Sequence, residues 1–425
     1  MARCESGVTG DAGARAMATM RSFHSWLLYW RYPGVITLAA SALSAQGLMP
    51  GGMFRLFTSD AAILESQEIR KDLPCVVNPV KPALGFDLKF HSGYSVTIPL
   101  KELAGEGNQL TMVFRVTAVA HPDEQVYLSQ RMSVPVIPED AKGEASLQGS
   151  FNIGDGKYHV DWLMRDRNEH VCSSNWDIEA NLPPKDREMP LDIGPNMVEA
   201  ADAEPFKEEP PIERAHDGAP LNVKVMVNFA PQNAYSAALQ PLDTNALVSI
   251  LRNIAREPRI GRFSIVAFNM QEQRVIYRQN SSSQIDFPAL GEALHSLSLG
   301  TIDFKKLGQK HADSEFLTNL IASEIKDEKD QPDAVIIAGP KVMLDDGIPQ
   351  EPLKQVSDLH LPLFYMNYNL NPQATPWRDA IGSAVKYLKG AEYTITRPRD
   401  LFFAWTEIMG RIVKSKFGRI ASSSQ

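Results

Sequence analysis

The rhythm of apolar and polar positions changes once along this chain, near residue 180. Between Cys75 and Ala180 the apolar runs are short, and clusters of Gly, Asn, Asp and Pro separate them. Runs at 84–90, 94–100, 110–118, 131–137 and 157–164 read as strands. In the last of these Tyr158, Val160, Trp162 and Met164 alternate with His159 and Asp161, the period of two that a strand with one buried face requires. Helical spacing is absent there, so 73–180 is expected to form an all-β sandwich of immunoglobulin-like kind. Gly154-Asp155-Gly156 reads as a hairpin turn within it. The lead-in segment 46–72 fits either an amphipathic helix or an extended strand.

After Pro220 the pattern changes to apolar strands alternating with helices. The strand 222–229 precedes a helix in which Leu247, Ile250, Leu251 and Ile254 recur at helical spacing, with Asp243 or Thr244 as its cap. Strands at 262–268 and 274–278 are close enough to pair antiparallel. Helices at 287–297 and from Asp313 follow, then strands at 334–338 and 363–366. A helix opened by Thr375 and Pro376, a strand at 393–395 and a helix capped by Asp400 complete the unit. Continuous apolar strands between amphipathic helices point to an α/β, doubly wound, mostly parallel sheet over 220–417, with a short tail at 418–425. In such sheets ligands lie beyond the carboxyl ends of the strands, here after Phe229 and Ala338.

Composition changes the picture mainly between these units. Residues 181–219 carry seven prolines and ten acidic against four basic side chains, which predicts an acidic, Pro-rich linker, extended or mobile. Much of the formal charge of −8, from 43 basic and 51 acidic residues, falls there. A concentrated basic surface for nucleic acid is missing. At the start, Arg21 and Arg31 flank an aromatic segment, and a short apolar run ends in small residues before Gln46. Residues 1–45 therefore read as a signal peptide region, cleaved after Ala45 or Ala42, with an uncleaved anchor as the alternative and the start at Met1 or Met20. The mature chain has no run long enough to span a bilayer, so it is expected to be exported, periplasmic or extracellular. Cys4 would be removed, leaving Cys75 and Cys172 to form one disulfide; two buried free thiols are the alternative.

The second unit resembles the von Willebrand factor type A fold in the order of its elements over 221–417. That resemblance implies a first strand ending in Asp-x-Ser-x-Ser, a Thr from a later loop and an Asp after the fourth strand, together holding a divalent cation that captures a partner's carboxylate. This sequence has Asn228, Ala230 and Gln232 in the first loop and Gly339-Pro340-Lys341 in the last, while 309–313 occupies the expected Thr loop. Neutral amide oxygens beside a lysine are poor ligands for a hard cation. The resemblance thus implies a degenerate site without metal or other cofactor, in a secreted bacterial protein.

Catalytic patterns are weak. No phosphate-binding glycine loop and no Gly-x-Ser-x-Gly elbow follows a strand. His311 and Asp313 are the one short-range His/Asp pair in a candidate loop, Asp345-Asp346-Gly347 reads as a turn, and the serines at 281–283 read as a loop. The leading expectation is a non-enzymatic protein that binds or scaffolds a protein partner; the alternative is a secreted hydrolase with a site near His311 and Asp313.

Overall fold

The structure, a computed structural model, describes residues 47–48, 56–105, 107–202, 204–215, 220–233, 236, 238–297, 311–327, 330–343, 347–359, 361–375 and 377–423. Residues 1–45, where a signal is expected, and Gln309, Asp345, Asp346, His360 and Pro376 lie outside them. The N-terminal unit comprises β1 (Gly47–Leu48), α1 (Thr58–Ser66), β2 (Val76–Leu84), β3 (Phe90–Pro99), β4 (Gln109–Ala118), β5 (Gln125–Ser133), β6 (Glu144–Ile153), β7 (Gly156–Arg165), β8 (Val171–Ala180) and β9 (Val198–Ala200). All pairings are antiparallel, in two sheets ordered β1-β5-β4-β7-β8 and β2-β3-β6-β9. Their facing side chains, among them Tyr94, Phe114, Phe151 and Trp162, form one core, as expected of a sandwich.

The lead-in resolves into both readings. Residues 58–66 are helical, and the following stretch runs extended to a bridge between Lys71 and Cys172. Helix α1 covers the outer face of β4 and β7, packing Ile63 and Leu64 against Val113 and Leu163. Two ion pairs lie beneath it, Arg165 to Asp60 at 2.7 Å and Arg115 to Asp161 at 2.8 Å. Cys75 and Cys172 form a disulfide with Cα atoms 6.3 Å apart, joining the entry of β2 to β8. One expected strand differs: residues 85–89 form the turn between β2 and β3, where Gly85 N–H donates to the Lys89 carbonyl at 2.8 Å. Another is shifted, since β5 ends at Ser133 rather than Ile137.

The C-terminal unit contains β10 (Leu221–Asn228), α2 (Pro241–Ala255), β11 (Ile260–Asn269), β12 (Arg274–Ser282), α3 (Phe287–Leu294), α4 (Ala312–Lys326), β13 (Ala334–Gly339), α5 (Glu351–Lys354), β14 (Leu363–Tyr368), α6 (Ala380–Tyr387), β15 (Ala391–Ile395) and α7 (Pro398–Ser423). The sheet order is β12-β11-β10-β13-β14-β15, parallel except for β12. One face packs on α2, α3 and α7, the other on α4, α5 and α6. Burial on both faces explains why these strands read as continuous apolar runs. A buried charge interrupts the central strand at Lys224, which is held by Glu324 at 3.2 Å and Asp330 at 3.3 Å. Two helix starts differ from expectation. Gln240 precedes α2, because Pro241 takes the first helical position, and Asp379 caps α6 in place of Thr375.

Residues 181–219 do not run as a bare tether where described. Met189 and Ile193 are buried, and Val198–Ala200 adds β9 to the edge of β6. Phe206 packs against the core of the second unit. The carboxylates meet basic partners far away in sequence: Asp192 and Glu209 reach Arg256 at 3.2 and 2.8 Å, and Asp186 pairs with Arg399. An acidic composition that suggests solvation in isolation is here matched by arginines on α2 and α7.

Candidate functional site

Two places can hold a ligand, and they differ in how their polar groups are engaged. The first is the carboxyl edge of the parallel sheet. Asn228 ends β10 fully buried, and its Oδ1 accepts from Met270 N at 3.2 Å. A side chain at Gly339 would meet Asn228 Cβ at 2.7 Å, so glycine is what lets the end of β13 approach β10. Ala230 is buried. Gln232 bridges two loops, donating through Nε2 to Asp243 at 3.1 Å and accepting at Oε1 from Leu370 N at 2.8 Å. Asn269 closes the next gap, donating to the Phe229 carbonyl at 2.6 Å and accepting from Glu272 N at 2.7 Å. Lys341 reaches the Thr375 carbonyl at 3.4 Å. The four positions Asn228, Ala230, Gln232 and Gly339 are thus brought to one edge, and both amide side chains there bond to protein.

Two carboxylates at this edge escaped the sequence reading. Asp243, expected as a cap, is buried within the first turn of α2; burial raises its pKa while the hydrogen bond from Gln232 opposes the rise. Asp379 accepts from Val342 N and Ile381 N at 3.0 and 3.1 Å. Burial pushes its carboxyl up to about 6, with the hydrogen bonds opposing and the charge of Glu392 adding to the rise. Asp379 has no sequence signal beyond a polar residue before an apolar run, and the loop that buries it comes from elsewhere in the chain.

His311 and Asp313 flank Ala312, the first residue of α4. His311 is exposed, with φ of 70°, and stands just before α4. Asp313 Oδ1 accepts from the adjacent Ser314 N at 2.8 Å. The structure brings His159 to Asp161 and Asp177, and His170 to Asp166, while the pair beside the large cleft is His91 with Asp87, Nε2 to Oδ1 at 2.9 Å. It was hidden because 84–90 resembles a strand; the signal available was Gly85 followed by Asp87, a turn-forming combination. Burial disfavours the charge on His91, but the bond and charge of Asp87 outweigh it and raise its pKa. Burial likewise pushes Asp87 up, and the bond from His91 outweighs it so that the carboxyl lies below its usual value.

This pair faces the second place, a cleft of about 790 Å³ between the sandwich and the first half of α2. The register of β3 with β6 sets His91 opposite Asn152 and Gly93 opposite Ser150, so Ser150 and Asn152 share the cleft wall with His91. Asn152 is 1% exposed, and its Oδ1 has no hydrogen-bond partner among the described residues, though it lies near enough to favour the charged form of His91. Thr244, Asn245 and Ser249 line the α2 side, and Leu84, Phe86, Leu239 and Leu242 supply apolar surface. A smaller hollow of about 190 Å³ continues toward Asp192 and Arg256.

Neither a known protein family nor a curated protein matches the sequence. Among solved structures, the chain is similar to a Northeast Structural Genomics Consortium target, SoR45, at 11% identity over 27% of this chain and 95% of that one, with a TM-score of 0.17. It is also similar to a glycosyl hydrolase family 2 member from Bacteroides cellulosilyticus, at 8% identity over 75% of this chain and 38% of that one, TM-score 0.17. Bacteroides uniformis β-glucuronidase gives 10% identity over 71% and 34%, TM-score 0.18. The chain spans little more than a third of either hydrolase, and at such scores the likeness carries no argument about fold or activity.

Proposed function

We propose that this chain is an exported, non-enzymatic protein-binding protein whose α/β unit is von Willebrand factor A-like and works without a cation. The succession of elements from β10 to α7, with β12 the one antiparallel strand, supports the resemblance. The disulfide between Cys75 and Cys172 fits an oxidising compartment, and among the described residues no helix is long and apolar enough to cross a membrane. The observation that carries the cation-independent reading is the engagement of the loop amides. Asn228 Oδ1 and Gln232 Oε1, the oxygens in place of the usual anionic ligands, both accept backbone N–H groups. A hard cation would compete with those N–H groups for the same oxygens and would gain no charge compensation from either group.

Titration calorimetry of the mature chain with Mg²⁺ and Mn²⁺ tests this. The expected result is no saturable heat. Micromolar binding that Asn228→Ala abolishes would overturn it.

A further inference from the structure

We propose that the cleft between the sandwich and α2 receives a lysine- or arginine-bearing segment of the partner protein; this deepens the reading of the chain as a protein-binding protein and rests on it. The argument starts from which charges facing the cleft are already matched. Arg252 is held by Glu209 at 2.9 Å and donates to the Pro205 carbonyl. Lys89, on the rim of the adjoining hollow, is held by Glu199 at 2.9 Å. His91 and Asp87 match each other. Asp202 is different: it lines the cleft, is exposed, and makes no hydrogen bond or salt bridge among the described residues, although its charge contributes to the field at Lys89. The carbonyl of Asn152 is buried beside His91 and favours the charged form of that ring. The cleft charge left without an ion pair among the described residues is therefore negative, and positive charge on the occupant would match it.

The apolar wall specifies the rest of the occupant. Leu242 is 57% exposed at the start of α2, an unusual exposure for a leucine beside a cavity, and Leu84 and Leu239 line the same cleft. A long aliphatic stem ending in a cation fits a surface of this kind, the stem lying on the leucines and the head reaching the carboxylate. The volume of about 790 Å³ holds several residues, which favours a chain segment over a free amine. An acidic segment would meet Asp202 uncompensated, with every cation nearby already paired.

The test uses the full mature chain and fluorescence anisotropy with labelled peptides of neutral Gly/Ser flanks around Leu-Lys-Leu, Leu-Arg-Leu or Leu-Glu-Leu, titrated to about 1 mM. The basic peptides should bind, the acidic one at least about ten-fold more weakly. Asp202→Asn should weaken the basic peptides about ten-fold. Asp202→Lys should abolish their binding, and Asp123→Asn, an exposed carboxylate on the β4–β5 turn, should change nothing. Asp202 is exposed and without hydrogen bonds, so these variants leave the fold intact, which an unchanged melting curve checks. Equal or tighter binding of the acidic peptide, no binding of either basic peptide, or indifference to Asp202→Lys would each overturn the proposal. Those outcomes leave the cation titration untouched, so the cleft assignment and the broader reading fail separately.

Discussion

The sandwich and the α/β unit are both well buried, yet they are secured by different means. In the sandwich each strand of the shared core offers one set of alternating residues, and a covalent link joins the entry of β2 to β8. In the α/β unit the strands are apolar on both faces, and backbone groups past the ends of β10 and β14 are met by the side chains of Asn269 and Gln232, which bridge loops. One unit relies on a crosslink that restricts its unfolded chain; the other relies on many small bonds that exist only once the loops have met. The contrast teaches where charge is left over: at the loop edge the amide oxygens of Asn228 and Gln232 are taken by backbone N–H groups, whereas the seam between the units holds a carboxylate, Asp202, without an ion pair among the described residues.

The largest effect should come from breaking the crosslink. Replacing Cys75 and Cys172 by serine should cost the sandwich about 4 to 5 kcal/mol, given a separation of 97 residues. Denaturant unfolding followed by hydrogen exchange would show the loss in β2 to β8 and leave β10 to β15 near their original stability. Equal losses in both units would mean that they unfold as one.

Asp379 sharpens the comparison from the other side. Its folded pKa of about 6 lies above the ordinary 3.8, so the unfolded chain releases this proton first as pH rises. Stability from this group is therefore full below about pH 4 and is lost as pH rises through 6. Asp379→Asn keeps an acceptor for Ile381 N and removes the titration. It should stabilise the α/β unit at pH 7.5 by at most about 3 kcal/mol and give no gain at pH 4. Unfolding midpoints at the two pH values check this; a gain that is the same at both would refute the assignment.

The smallest effect concerns the bridge across the loops. Gln232→Ala leaves Asp243 and Leu370 N without their partner, and should cost about 1 to 2 kcal/mol. Thermal unfolding should show a lower midpoint for the α/β unit alone, and an unchanged midpoint would mean that water replaces the amide at no cost.

Much of this contrast could be read from the residues. Leu110 to Ala118, Lys157 to Met164 and Ala334 to Ala338 lie on strands because alternation or unbroken apolarity is a local property of the chain. The disulfide was legible because loss of the expected signal region would leave only two cysteines to pair. What was not legible depends on distant neighbours. Asp192 and Glu209 looked like solvated charges until Arg256 was placed beside them. Leu84 to Phe90 has the composition of a strand, yet Gly85 and Asp87 turn it, and only that turn brings Asp87 to His91. Asn228, Ala230, Gln232 and Gly339 were placed on one edge by the order of the elements, but the side-chain hydrogen bonds of Asn228 and Gln232 involve Met270, Asp243 and Leu370, which no spacing rule connects to them.

The crosslink also changes how the chain would carry a load. Everything from β2 through β7 lies between Cys75 and Cys172, so a force applied at the two ends of the molecule passes from one sulfur to the other and bypasses that loop. The 97-residue separation withholds about 330 Å of contour length from any extension. Under tension the sandwich strands between the two cysteines are shielded while the bond is intact, and reduction turns the same segment into slack.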